Sequence, residues 1–121
     1  MRYFSLTQLY LYYAEALLRS GAPVDQVLEP MNVLRQRCGM PLFEASDFTD
    51  RKMLEEKLFD ELLMEIGVDN GAEYFAAVRY RNSSGDRMIK EFNPTFADDN
   101  QLSFPIPDDE LFFNPVMDPN P

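Results

Sequence analysis

Two helical runs, residues 5–20 and 24–38, are separated by Gly21-Ala22-Pro23, a break too short for anything but a fold back. That constraint fixes the first third of the chain as an antiparallel helical hairpin. Ser5 is a good N-cap, and Gln8 three residues on completes a capping box, with Phe4 and Leu9 placed as a hydrophobic staple. Leu6, Leu9, Tyr10, Tyr13 and Leu17 recur at helical spacing, which predicts that they form the buried stripe. Gln8, Tyr12, Glu15 and Arg19 fall on the other face. Glu15 precedes Arg19 by four residues, a helical ion pair worth about 0.2–0.5 kcal/mol. Gly21 is the expected stop, because the residue after a helix commonly turns left-handed. The second helix should begin near Val24 or Asp25, bury Val27, Met31, Leu34 and Cys38, and stop at Gly39 before Pro41. Pro30 removes a backbone donor at a cost of about 3 kcal/mol inside a regular helix. It predicts a kink, or a loose first turn with the regular helix starting at Pro30.

The remaining 80 or so residues must cover that hairpin, and 121 residues suffice for one domain over 1–121. A hydrophobic fraction of 45% supports a packed core. Residues 40–49 read as a linker anchored by Leu42, Phe43 and Phe48. Thr49 or Asp50 can cap a third helix, in which Leu54, Leu58, Leu62 and Ile66 step by four and Met53, Phe59 and Leu63 widen the stripe. Glu55, Glu56, Lys57, Asp60, Glu61 and Glu65 are expected on its solvated face. After the turn Gly67–Gly71, a short helix should carry Tyr74, Phe75 and Val78 to the same core. Residues 82–101 are polar, with a tip at Ser83–Asp86, and suit either a short strand or an extra turn of helix. Six of the nine prolines lie between Pro94 and Pro121, and from Ala97 onward there is no Lys or Arg. This end reads as extended chain with one helical turn at Pro107 to Leu111. Its Phe104, Ile106, Leu111, Phe112 and Phe113 are expected to wrap over the helices and be buried.

The order of these pieces resembles the C-terminal part of the SusD/RagB family, nutrient-binding lipoproteins of the Bacteroidetes outer membrane that partner a TonB-dependent transporter. Four blocks carry the likeness. Tyr13-Ala14-Glu15-Ala16-Leu17-Leu18 with Gly21 is similar to a family helix ending in tyrosine, Ala-Glu-Ala and Gly. Asn32 to Pro41 resembles its asparagine, Val-Arg, Arg-Ala-Gly segment. Glu61 and Glu65, followed by Gly71, Tyr74, Phe75 and Arg79, resemble its Glu-Arg, Glu-Leu, Gly, Trp-Phe-Asp-Leu and Arg block. Phe104-Pro105-Ile106-Pro107 with Glu110, Asn114-Pro115 and Asn120-Pro121 resembles its proline-rich ending. The departures are Tyr74-Phe75-Ala76 for Trp-Phe-Asp, Glu73 and Leu62 where arginine is usual, and Cys38 for alanine.

The resemblance implies an all-α fold: a tetratricopeptide-like hairpin plus further helices, with an extended Pro-rich tail packed on them. It implies a fragment or short relative of a larger starch- or glycan-binding protein, held at the cell surface by a lipid anchor. The segment would be mainly scaffold, with oligosaccharide and a SusC-like TonB-dependent transporter as the parent's partners. The alternative is a stand-alone tetratricopeptide-like module that binds a protein partner.

The residues exclude several other functions. A net charge of -10 disfavours nucleic acid and anionic membrane surfaces as partners. Met1 to Leu6 has no apolar signal region, and no run of 18 apolar residues exists, so a soluble chain without membrane insertion is expected. The chain has no histidine, and Cys38 as its one cysteine is expected to be a small buried hydrophobe. No nucleophile elbow or phosphate loop is present, so no enzyme and no cofactor is expected. Glu61 and Glu65 could share a proton by spacing, but the resemblance makes them structural. Asp98, Asp99 and Asn100 offer hard oxygens without a calcium-loop pattern, so no metal site is assigned. Tyr3, Tyr10, Tyr12, Tyr13 and Tyr80 are sugar-stacking candidates by type; Tyr10 and Tyr13 are expected in the core, and no ligand-binding residue is assigned.

Overall fold

The computed structural model of the protein describes residues 5–67, 71–114 and 116–118. Six α-helices occur among them: α1 (Leu6–Arg19), α2 (Val24–Arg37), α3 (Arg51–Ile66), α4 (Ala72–Arg79), α5 (Ile89–Phe92) and α6 (Asp108–Phe113). Short 3-10 turns lie at Ala45–Asp47 and Asp99–Leu102. No strand occurs among the described residues; an isolated antiparallel bridge joins Arg81 to Arg87. The chain is therefore all-α. It divides into two units, Met1–Ile89 and Lys90–Pro121.

The first unit begins with its caps. Ser5 Oγ accepts from the Gln8 amide at 3.1 Å and Gln8 Oε1 accepts from the Ser5 amide at 2.9 Å, the expected capping box. Phe4, half of the expected staple, lies outside the described residues. Gly21 has φ 82°, and the amides of Gly21 and Ala22 donate back to Leu18 O (3.2 Å) and Leu17 O (3.0 Å), which closes the C-terminus of α1 in a Schellman motif. Gly39 (φ 68°) ends α2 in the same way, with Met40 donating to Arg35 O at 2.8 Å. Between them α2 runs unbroken through a buried Pro30, so the regular helix starts six residues earlier than a start at Pro30 would place it.

The helix α1 packs on α2 and α3, and α3 on α4. The first three helices give the core Leu11, Ala14 and Leu18 from α1, Val27, Leu28 and Met31 from α2, and Leu54, Leu58, Phe59, Leu62 and Ile66 from α3. Burying each large member is worth about 1.5–3 kcal/mol. The four-step stripe of α3 is thus buried as expected, although Met53 is exposed. Asp50, not Thr49, caps this helix by accepting from the Met53 amide at 2.8 Å.

The first helix turns the other way from the expectation. Leu6, Leu9 and Tyr13 are 69%, 61% and 56% exposed, and Tyr10 and Leu17 are half-buried. The buried face is Thr7, Leu11, Ala14, Glu15 and Leu18. Both faces have helical spacing, so periodicity alone cannot choose between them. The small Ala14 lets neighbouring helices approach closely, and Glu15 must reach a cation described below. In α2, Leu34 is half-buried and Cys38 is exposed beyond the helix end, which corrects the expectation of a buried thiol.

A second correction concerns α4. Tyr74 and Phe75 are exposed, while Ala76, Ala77 and Tyr80 are buried. Tyr80 is completely enclosed, its ring 5.5 Å from that of Phe59. Of the short strand and the extra turn of helix left open by the sequence, the described residues from Arg81 onward hold the helical turn and no strand, with an isolated bridge before it. The bridge to Arg87 closes a turn in which the Gly85 amide donates to Asn82 O at 2.8 Å, and α5 follows.

Arginines finish several helix ends from a distance. Arg51, at the start of α3, donates to Leu18 O (2.6 Å) and Ala22 O (2.7 Å) at the far end of α1. Arg19 donates to Arg79 O at 3.3 Å, and Arg87 donates to Val78 O, both at the end of α4.

Within the second unit, Asp98 Oδ1 accepts from the Asn100 amide at 2.9 Å at the start of the second 3-10 turn. The expected helical turn at residues 107–111 is present as α6. The expected burial of its aromatics is not found. Phe104 is 93% exposed, and Phe112 and Phe113 are 80% exposed, while Ile106 and Leu111 are half-buried. A tail so rich in proline has few backbone conformations with which to fold its side chains inward.

Candidate functional site

Two polar connections cross the core of the first unit. On α1, Glu15 is buried and receives Arg79 of α4 through both carboxylate oxygens, Nε at 2.6 Å and Nη2 at 2.8 Å. Arg19 adds a 3.6 Å contact to Glu15 and pairs with Glu55 of α3 at 2.8 Å. Burial pushes the Glu15 carboxyl up, but the hydrogen bonds and charge of Arg79, with Tyr80 and Arg19 beside it, hold it below the usual carboxylate value. The bond to Glu15 raises the Arg79 guanidinium further, against the effect of its own burial. Burial, and then the Glu15 charge, raise the Tyr80 phenol, which stays neutral. Its hydroxyl is buried without a hydrogen bond of ordinary geometry. A permanently charged pair beside a neutral phenol has no proton to exchange near neutral pH.

The second connection joins α2 to α3. Arg35 Nη1 donates to Glu61 Oε1, both side chains being only 9% exposed. Arg35 Nε donates to Pro41 O at 2.6 Å, and its guanidinium lies 3.8 Å from the centre of the Phe43 ring. Asn32 grips the backbone of Phe43 from both sides, donating to its oxygen at 2.9 Å and accepting from its amide at 2.8 Å. Glu61 is therefore not on a solvated face as its polarity predicts. Glu65 accepts from Thr7 and, at 3.3 Å, from Ser5. The two glutamates have separate partners.

Two open hollows lie on the surface. Leu6, Leu9, Tyr10 and Tyr13 line an apolar hollow of about 420 Å³ on the outer face of α1. Thus two sugar-stacking candidates assigned to the core stand on the surface, while Tyr80 is enclosed, Tyr12 is half-buried and Tyr3 lies outside the described residues. The second hollow, about 440 Å³, is lined by Phe48, Thr49, Asp50, Met53, Glu56, Lys57, Asp60 and Ser83. The Glu56 carboxylate there accepts from the Ser83 amide at 3.1 Å, and Asp60 meets Lys57 at 3.4 Å. Three carboxylates against one ammonium make this hollow unreceptive to anions. Sequence reasoning missed it, because Ser83 reaches the groove only through the tertiary fold. Asp98 is engaged in its own turn, and no cluster of three or more metal-type side chains occurs among the described residues. No described helix is long and apolar enough to cross a membrane.

The polar side chains that meet in the core come from separate stretches of sequence: Glu15 with Arg79, Arg35 with Glu61, Asn32 with the linker at Phe43. These are residues of the blocks that carry the resemblance noted above. Comparison of the whole sequence with known families agrees with that pattern, since residues 1–121 match the SusD family. The chain belongs to the SusD family. No curated protein and no solved structure matches it. SusD-family membership places the protein among nutrient-binding proteins of the glycan-binding kind. The SusD-type blocks thus supply the fold's internal ties, and the open surfaces lie outside those ties.

Proposed function

We propose that this chain is the C-terminal, mainly scaffolding segment of a SusD-like protein that captures starch or a related glycan at the outer membrane and works with a TonB-dependent transporter. The observation that carries the reading is the interlocking of the family-like blocks through the buried Arg35–Glu61 pair and through Arg79, partly exposed, on the buried Glu15, which gives those residues a structural task. The hairpin α1–α2 would be one tetratricopeptide-like pair of a longer array. The apolar outer face of α1 supports this, because a repeat in an array keeps a face for its neighbour. The parent would be lipid-anchored at the cell surface, with binding and not turnover as its activity.

The test is calorimetric titration of starch oligosaccharides into this chain and into its full-length parent. The parent should bind and the chain should bind at least about tenfold more weakly. Equal affinity would remove the scaffold assignment, and a parent that binds no glycan would remove the reading altogether. The alternative, a stand-alone partner-binding module, draws on the same α1 face; it requires the 121-residue chain to be the whole gene product.

A further inference from the structure

Residues 40–48, the strap that crosses from α2 to α3, are held together in one way and held down in another. Each residue from 40 to 50 is exposed or half-buried, so the strap adds no side chain to the core. Its internal ties are local. The Glu44 amide donates to Asp47 Oδ2 at 2.8 Å, and the Asp47 amide donates back to Glu44 O at 3.0 Å. The rings of Phe43 and Phe48 stand edge to face, 5.6 Å between centres. Its attachment to α2 rests on two side chains. Asn32 holds both backbone groups of Phe43, and Arg35 holds Pro41 O and the face of the Phe43 ring. The near end of the strap turns at Gly39, which is left-handed at φ 68° and stands in open space. The far end is fixed at Asp50, the cap of α3.

A segment with few buried apolar contacts and a small number of anchors opens at a far lower free energy than the core beneath it. Internal ties that do not involve those anchors survive the opening, so the segment moves with its shape kept. We infer that residues 40–48 form a lid that opens as one unit, latched by Asn32 and Arg35 and turning at Gly39. Opening brings water to the Arg35 guanidinium, whose side chain is 9% exposed when the lid is closed. It also carries away Phe48, which lines the hollow of about 440 Å³ beside α3. That hollow therefore has a movable wall, while Glu56 and Ser83 hold the rest of it in place. Because Arg35 also pairs with Glu61, one guanidinium serves both the latch and the tie between α2 and α3. Every group in the device lies within this chain.

Amide hydrogen exchange, resolved residue by residue by NMR, tests this on the 121-residue chain, wild type beside Asn32→Ala. In the wild type, Phe43, Glu44, Asp47 and Phe48 should share one protection, at least about tenfold below that of Leu58 and Leu62 in α3. Asn32→Ala removes two hydrogen bonds and should raise the opening constant at least about tenfold. Phe43 loses its own acceptor in this variant, so the decisive reporters are Glu44, Asp47 and Phe48, whose bonds the substitution leaves intact. All three should speed up by one common factor, with Leu58, Leu62 and Ser83 within about twofold of wild type. Arg35→Met/Glu61→Leu, which releases the other half of the latch without stranding a charge, should also speed the same three amides. Wild-type rates at Glu44, Asp47 and Phe48 in Asn32→Ala would reduce Asn32 to a clamp on one peptide and overturn the lid. An equal rise at Leu58 and Leu62 would show the whole helical unit loosening, which overturns it too. A rise at Ser83 matching that of Phe48 would overturn the movable wall.

Discussion

Replacing Glu61 by Leu removes the carboxylate from the α2–α3 connection while nearly preserving its volume. Arg35 then stays in a site where its side chain is 9% exposed, with its charge uncompensated. Removing one member of a buried pair typically costs about 3–5 kcal/mol. Here the guanidinium keeps the Pro41 oxygen and the Phe43 ring face, which places the loss near the lower end, about 3 kcal/mol. Arg35→Met leaves the opposite orphan and should cost at least as much. The double variant Arg35→Met/Glu61→Leu leaves no buried charge, and it loses only the contacts to Pro41 and Phe43. Its cost should be about 1 kcal/mol, well below either single change. Urea denaturation of the four proteins, extrapolated to water, measures all terms of this cycle. At about 4 °C per kcal/mol, each single variant should also melt about 12 °C lower. Single variants within about 1 kcal/mol of wild type, or a double variant as unstable as the sum of both singles, would refute a buried ion pair as the tie between these helices.

Two further outcomes test other parts of the fold. The Glu15 carboxyl is held below 4.5 in the folded state, so the unfolded chain binds its proton more readily. Its contribution is complete above the ordinary carboxylate range and is lost as pH falls through the depressed folded value; Glu15→Gln should therefore flatten the fall in stability below about pH 5, and parallel wild-type and variant curves would count against the Glu15–Arg79 pair. Leu11→Ala should cost about 2–5 kcal/mol and Tyr13→Ala within about 0.5 kcal/mol, by chemical denaturation; the reverse ranking would restore the face of α1 suggested by its apolar stripe.

Helix boundaries were legible because they depend on local chemistry. Ser5 with Gln8, and the left-handed Gly21 and Gly39, act on atoms a few residues away. The stripe of α3 was legible because one apolar face dominates. The orientation of α1 was not, since two of its faces have helical spacing and the choice depends on Ala14 and on a cation 64 residues further on. Tyr80 was a stacking candidate by type alone, and its enclosure, with Phe59 from another helix against its ring, is a tertiary effect. Polarity placed Glu61 outside, whereas the resemblance to SusD-type blocks gave it a structural task, and its partnership with Arg35 agrees with the latter. The aromatic tail was misjudged because hydrophobicity reports what burial would gain and says nothing of whether a proline-stiffened backbone can deliver it. The groove beside Phe48 left no trace in the sequence, for its walls come from residues 35 positions apart.

The arginines that close the helix ends have a temporal consequence. Leu18 O near the end of α1 and Ala22 O in the turn after it receive an added donor from Arg51, 33 and 29 residues later in the chain. While the polypeptide is being synthesised, the first two helices emerge before this added donor exists. The opening hairpin can therefore close its own turn at Gly21 as it is made, and it gains its clasp to the third helix only once Arg51 has followed.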